Sequence, residues 1–152
     1  MAAAAVGATL IGGCGGEHGR SIRFVSGRPH LYVLDLGAHG KSRGDLYVFD
    51  STLFDAHGRR AIGRLRGTQT SIRLEHGAET VQGILTFEFG SGNALVVGGL
   101  SQFPRRGTGT VVNRRFVRAV LGGTGKYAGV GGTLTTKRRP DGSYQQEFRV
   151  ED

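Results

Sequence analysis

A glycine-rich corner between two apolar segments constrains the fold of this chain more than any other feature. In Phe116–Gly132, the apolar run Val117–Leu121 is followed by Gly-Gly-Thr-Gly, a single aromatic residue at Tyr127, and three more glycines. Thr133–Thr136 then resumes with β-branched residues. Glycine tolerates positive φ and close backbone approach, so this density predicts two strands joined by a sharp corner in a sheet.

The same stretch contains a motif that resembles a nucleotide-binding loop but lacks its structural context. Gly123–Ala128 matches G-x-G-x-x-A, a motif that binds a dinucleotide only when a helix follows it. Gly129–Thr136 follows instead, and its glycines and β-branched residues disfavour a helix. A Walker A loop also fails, because Tyr127 stands where Ser or Thr would bind magnesium. We therefore expect no nucleotide cofactor.

From Arg20 onward the chain alternates with a period of two, which is typical of strands. The segments with this pattern are residues 21–26, 31–36, 45–49, 61–65, 68–74, 81–89, 94–97, 117–121, 134–138 and 144–150. No segment has a helical period. The chain of 152 residues is long enough for one domain with its own core. Short strands at regular spacing predict an all-β sandwich or barrel, which we place at residues 20–152.

The charge of the chain is strongly positive, with a formal net charge of +8. Such a charge favours anionic partners. The arginines are nevertheless scattered singly and in pairs, without a basic stripe interleaved with aromatic residues. We therefore interpret them as a solvated surface and expect no specific nucleic-acid site, with an anionic-polymer binder as the weaker alternative.

Cysteine and histidine are placed in ways that argue against a disulfide and a metal site. Cys14 is the single cysteine, so no intrachain disulfide can form. The five histidines show no pair at ligand spacing. We therefore expect no metal site.

Residues 1–19 form an apolar leader and linker. Ala2–Gly13 is small and apolar, and Cys14 follows it directly. This resembles the end of a bacterial lipoprotein signal, in which the cysteine carries a lipid anchor, but the positive segment that opens such a signal is missing. The run is too short to span a membrane as a helix. Two interpretations stay open: a truncated signal of an exported or cell-envelope protein, or the leader of a cytoplasmic one.

A series of short motifs resembles the allene oxide cyclase and dirigent superfamily. These are Gly44–Asp50 with Leu53, Ile62-Gly63 with Gly67, Leu85–Gly90, Leu95–Gly98, and Val120–Gly125 with Tyr127 and Gly129. The resemblance covers about Leu31 to Val150. It implies a single antiparallel closed β-barrel of about eight strands, calycin-like, with an apolar cavity open at one end. Members cyclise an unstable epoxide or steer coupling and ring closure of phenolic intermediates, and none needs a metal or organic cofactor. The resemblance extends to bacterial barrels for pericyclic ring closures.

The resemblance carries over only part of the functional residues. The glutamate on the first barrel strand of the cyclases aligns with Val33 or Asp35, and only Asp35 can ionise, so it is the predicted catalytic residue. The dirigent arginine before the Gly-Gly-Thr-Gly strand falls at Phe116, beside Arg115. The predicted substrate-binding residues are Tyr32, Tyr47, Gln69, Phe87 and Arg115.

Two functions remain open at this point. One is a cofactor-free cyclase or isomerase, or a dirigent-like barrel, that binds an apolar or phenolic small molecule and steers its ring closure. The other is a non-catalytic exported barrel that binds a ligand or a partner. Whether the protein is an enzyme, and whether it forms a homo-oligomer, is not decided by the sequence.

Overall fold

The computed structural model describes residues 19–104 and 106–151, and these residues are all-β. The predicted leader and the predicted lipid anchor at Cys14 lie outside the described residues. The strands are β1 (Arg20–Ser26), β2 (His30–Leu34), β3 (Leu46–Phe54), β4 (Ala61–Glu75), β5 (Ala78–Glu88), β6 (Ala94–Pro104), β7 (Arg115–Thr124), β8 (Gly131–Arg138) and β9 (Tyr144–Glu151). One short 3-10 turn, Gly125–Tyr127, is the helical structure in this part of the chain.

The strands close into a barrel. Neighbouring strands pair antiparallel in the order β1-β9-β8-β7-β6-β5-β4-β3-β2, and β1 closes the circle on β3 through Val25–Phe54 and Ser26–Leu53. Proline cannot donate a ladder hydrogen bond, and Pro29 lies in the break between β1 and β2. β2 then continues along the same edge of β3. The predicted closed antiparallel barrel of about eight strands is confirmed, with β2 as one extra strand.

The glycine corner behaves as its composition predicts. Gly122 has a φ of 147° and Gly125 has a φ of 59°. The register shifts between β6 and β7 at this point, since Val96 pairs with Gly122 whereas Val97 pairs with Val120. Leu121 is thus the extra residue of a bulge. Tyr127 packs beneath the corner and is buried.

Two strands, β4 and β6, continue through glycines that were predicted to end a strand, because these glycines serve packing rather than turns. β4 runs unbroken through Gly67, where a Cβ atom would lie 2.7 Å from Cζ of Phe49. β6 runs through Gly98 and Gly99 as far as Pro104. In both strands glycine leaves room for a neighbouring side chain.

One end of the barrel is filled by an aromatic core. Phe24 lies at the centre, with ring centroids 5.7 Å from Phe87 and 5.8 Å from Phe148. Tyr127 closes this end against Phe89, with 5.7 Å between the centroids. A smaller cluster, Tyr47, Val81 and Phe103, fills a second region of the interior. The space between the two clusters is the part of the barrel that side chains leave open.

The outside of the barrel carries an apolar surface on β5, β6 and β7. Ile84, Leu100, Val117 and Leu121 point outward and are each more than half exposed, and we call them the outer patch.

Within residues 19–104 and 106–151 there is no helix long and apolar enough to cross a membrane.

Candidate functional site

A cavity of about 320 Å³ lies inside the barrel. Its apolar wall is formed by Leu31, Phe49, Leu65, Leu85 and Phe103. Leu65 and Leu85 also belong to the aromatic core, and Phe103 belongs to the smaller cluster, so the cavity separates the two. Residues 108–110 of the β6–β7 loop line its mouth.

Opposite the apolar wall, buried polar side chains join β1, β9 and β8. Gln146 Nε2 donates a hydrogen bond to Ser26 Oγ at 3.0 Å. Thr136 Oγ1 donates to Gln146 Oε1 at 2.7 Å. These two hydrogen bonds link Ser26, Gln146 and Thr136 in a row, which fixes the orientation of the side chains that face the cavity.

The same chain of polar groups continues through an arginine to β7, β6 and β4. Arg118 Nη1 donates to Thr136 Oγ1 at 3.3 Å, and Nη2 donates to Ser101 Oγ. Gln69 Nε2 also donates to Ser101 Oγ, at 3.5 Å. Arg118 is therefore held from two sides by neutral hydroxyl groups.

Arg118 is a buried cation without a counter-charge. Its side chain is 5% exposed, and it forms no ion pair with an Asp or Glu of the described residues. Its Nε atom is buried and has no hydrogen-bond partner. Burial lowers the pKa of Arg118 to about 10, so the guanidinium is still charged at neutral pH.

A half-buried phenol, that of Tyr144, also lines the cavity. Burial raises the pKa of Tyr144, while Arg138 and Arg118 act in the opposite direction. Its hydroxyl lies near the loop, since a Cβ atom on Gly109 would come within 2.8 Å of Tyr144 Oη. At neutral pH Tyr144 is therefore a neutral hydrogen-bonding group of the cavity wall.

A second buried charge cluster supports the mouth of the cavity. Tyr47 Oη donates to Glu79 Oε1 at 2.6 Å, and Lys41 Nζ lies 2.8 Å from Glu79 Oε2. Burial and the Glu79 carboxylate raise the pKa of Tyr47. Lys41 also donates to the carbonyls of Pro104 and Gly107, at 3.2 and 2.7 Å. This cluster ties the β2–β3 loop to the loop that covers the cavity.

The residues predicted from the sequence occupy different parts of the molecule. Gln69 lines the cavity. Tyr47 is buried beside it, with its ring centroid 5.5 Å from that of Phe103 and its hydroxyl bound to Glu79. Phe87 is fully buried in the aromatic core and does not line the cavity.

The other three predicted residues lie on the outside. Tyr32 is 67% exposed, and Arg115 is exposed as well. Asp35 follows β2, and its carboxylate accepts a hydrogen bond from the Gly40 N–H at 2.9 Å. Asp35 lies one residue beyond the end of β2 and is exposed. Its position therefore gives no support to a role in the cavity.

Sequence reasoning missed Arg118, although a signal for it was present. Phe116, Arg118 and Val120 share one face of β7, and Val117 and Leu121 share the other. An arginine that shares a face with an aromatic and an apolar residue is typical of a charged group inside a barrel. The family resemblance pointed to Arg115 instead, which the alternation places outside.

No protein-family model matches this sequence, and no curated protein sequence matches it. Solved structures do match. A pyocyanin demethylase superposes with a TM-score of 0.68 at 19% identity, covering 87% of this chain and 100% of that one. A Diels–Alderase from Streptomyces koyangensis gives 0.63 at 17% identity, covering 90% and 69%. A pterocarpan synthase dirigent protein gives 0.61 at 19% identity, covering 88% and 94%.

The chain has the fold of these barrels. The superpositions extend over most of the chain, so the barrel as a whole is shared and not one hairpin or corner. At identities below one fifth the likeness concerns the fold, and the chemistry of this barrel has to be argued from its own cavity.

Proposed function

We propose that this protein is a cofactor-free barrel that binds an apolar or phenolic small molecule in its cavity and steers its ring closure. The observation that carries the proposal is the cavity of about 320 Å³, with an apolar wall on one side and hydrogen-bonded polar groups on the other. Ligand sites in proteins have this composition, and this volume is at the lower end of their range.

The geometry suits a reaction that needs shape and electrostatics more than acid–base chemistry. Packing a flexible molecule against Leu65, Leu85 and Phe103 would hold it in one reactive conformer. Arg118 and Tyr144 present hydrogen-bond donors that would stabilise negative charge developing on an oxygen of the substrate. The solved structures with this fold include a cyclase that catalyses a [4 + 2] cycloaddition and a pterocarpan synthase dirigent protein, which supports ring closure here.

The test uses achiral compounds that close a ring spontaneously and give racemic product. We expect the protein to yield an excess of one enantiomer, measured by chiral chromatography. Leu85→Trp fills the cavity from its wall and should abolish the excess. Ile84→Trp, the next residue on the same strand, points outward and should retain it. Racemic product from bound substrate would overturn the ring-closure proposal.

One observation favours a second function, a non-catalytic barrel that binds a small molecule. No Asp or Glu lines the cavity among the described residues, so the carboxylate pair that many enzymes use as acid and base is missing there. Saturable binding that Leu85→Trp removes, together with racemic product for every compound tried, would identify this function.

A further inference from the structure

We propose that Arg118 forms an oxyanion subsite and that the ligand of the cavity is an organic anion, a carboxylate or an acidic enolate. This inference rests on the proposed function only in that a small molecule occupies the cavity. It adds the chemical class of that molecule and the residue that selects it.

The first argument is the unbalanced charge of Arg118. An unpaired buried charge is costly, and buried arginines are ordinarily matched by a carboxylate. Glu79, which is fully buried, is already held by Lys41 and Tyr47. The two hydroxyl groups on Arg118 are neutral, and its Nε–H has no acceptor. A ligand oxyanion would supply both the missing charge and the missing acceptor.

The second argument is the sign of the charges around the cavity. Arg28 and Arg138 line it together with Arg118, and no acidic side chain of the described residues does. Arg138 Nη1 donates to the Thr110 carbonyl at 3.2 Å, and its Nε is also buried without a partner. The charged side chains that line the cavity are therefore all cationic.

The third argument is the contrast with the outer surface of the barrel. Five arginines there pair with carboxylates: Arg23 and Arg149 with Glu147, Arg64 with Asp50, Arg66 with Glu88, and Arg73 with Glu75. Acidic partners are thus found for some of the exposed arginines, whose charge solvent already screens, and none lies beside the arginine that solvent screens least. This distribution is expected if the counter-charge of Arg118 arrives with a ligand.

The experiment compares an acid with its neutral amide. N-phenyl-1-naphthylamine, a neutral apolar fluorophore, reports occupancy of the cavity, and 1-naphthoate and 1-naphthamide compete with it. In the parent protein we expect the acid to bind about tenfold or more tightly than the amide, the size of a charge-assisted hydrogen bond. In Arg118→Gln the preference should vanish. Arg149→Gln, at an exposed position, should retain it.

A second measurement uses the unmodified protein and so does not depend on the folding of a variant. The Nε–H resonance of Arg118, assigned through its side chain, should shift on titration with 1-naphthoate and not with 1-naphthamide. Equal affinities of acid and amide in the parent, with an unmoved resonance, would make Arg118 a purely structural donor and overturn the inference. Binding of the fluorophore in that case would leave the proposed function standing. Failure of all three molecules to bind would count against both.

Discussion

At the scale of single residues, the two buried acids among the described residues are compensated within the protein. Glu79 is bound by Tyr47 and Lys41. Asp45 accepts hydrogen bonds from the Ser42 N–H at 2.6 Å, the Ser42 hydroxyl at 2.9 Å and the Leu36 N–H at 3.2 Å. Both carboxylates therefore stabilise the loop between β2 and β3, and neither lines the cavity.

The buried hydrogen bond of Tyr47 can be tested by removing one atom. Tyr47→Phe keeps the ring but leaves the Glu79 carboxylate with one donor fewer, which should cost about 1–3 kcal/mol of unfolding free energy. The measurement is urea denaturation. Tyr32→Phe, at an exposed ring, should change stability by less than about 0.5 kcal/mol. Equal effects of the two substitutions would show that the buried hydrogen bond contributes nothing.

Asp45 predicts a specific loss of stability in acid. Burial acts to raise the pKa of Asp45, but the hydrogen bonds from Ser42 and Leu36 outweigh it and hold the pKa below its ordinary value. A lowered folded-state pKa stabilises the protein above the unfolded pKa of about 3.9, and this stabilisation is lost as pH falls through the folded value. Asp45→Asn should therefore destabilise at pH 7 and approach the parent below about pH 4, as measured by urea denaturation at each pH. A constant difference across this range would contradict the assignment.

Single residues of the site were only partly predictable. Gln69 was found because a family position fell on it, and it does line the cavity. Asp35 has the parity of Leu31, which lines the cavity, but it comes after the last residue of β2 and is exposed, so its catalytic role stays a prediction. Arg118 was missed because strand alternation tells which residues share a face, but does not by itself tell which face is inside.

At the scale of elements, the glycine corner offers a matched pair of substitutions. A Cβ atom on Gly123 would lie 2.5 Å from the Tyr127 carbonyl oxygen and 2.6 Å from that of Ala94. A Cβ atom on Gly131 would meet nothing within 4 Å. Gly123→Ala should therefore cost about 1–3 kcal/mol of unfolding free energy, whereas Gly131→Ala should be close to neutral. Thermal denaturation of the two variants checks this, and similar melting temperatures would show that the corner relaxes around a methyl group.

The corner was predictable and the long strands were not, for one physical reason. Clustered glycines next to an aromatic residue predict a corner, because positive φ angles and close backbone approach are both needed there. An isolated glycine such as Gly67 or Gly83 gives no such signal. At Gly83 a Cβ atom would lie 2.4 Å from Cγ of Gln69, so the glycine makes room for a side chain of the cavity wall. That demand comes from a partner strand and is invisible along the sequence.

At the scale of the whole molecule, the barrel interior holds the aromatic core, the smaller cluster and a cavity between them. The existence of the barrel follows from period-two strands and turn residues, which the sequence shows directly. The cavity depends on how far side chains from opposite walls reach across the interior, so it requires the strand register and tilt. The outer patch is a second apolar surface. A small apolar molecule could bind either there or in the cavity, so an experiment has to distinguish the two.

Methyl-selective NMR of the protein titrated with N-phenyl-1-naphthylamine decides between these surfaces. We expect shifts at the methyl groups that line the cavity, those of Leu31, Leu65 and Leu85. The methyl groups of the outer patch, those of Ile84, Leu100, Val117 and Leu121, should not move. Shifts confined to the outer patch, with the cavity methyl groups unchanged, would contradict the account of this barrel as a protein that binds its ligand inside.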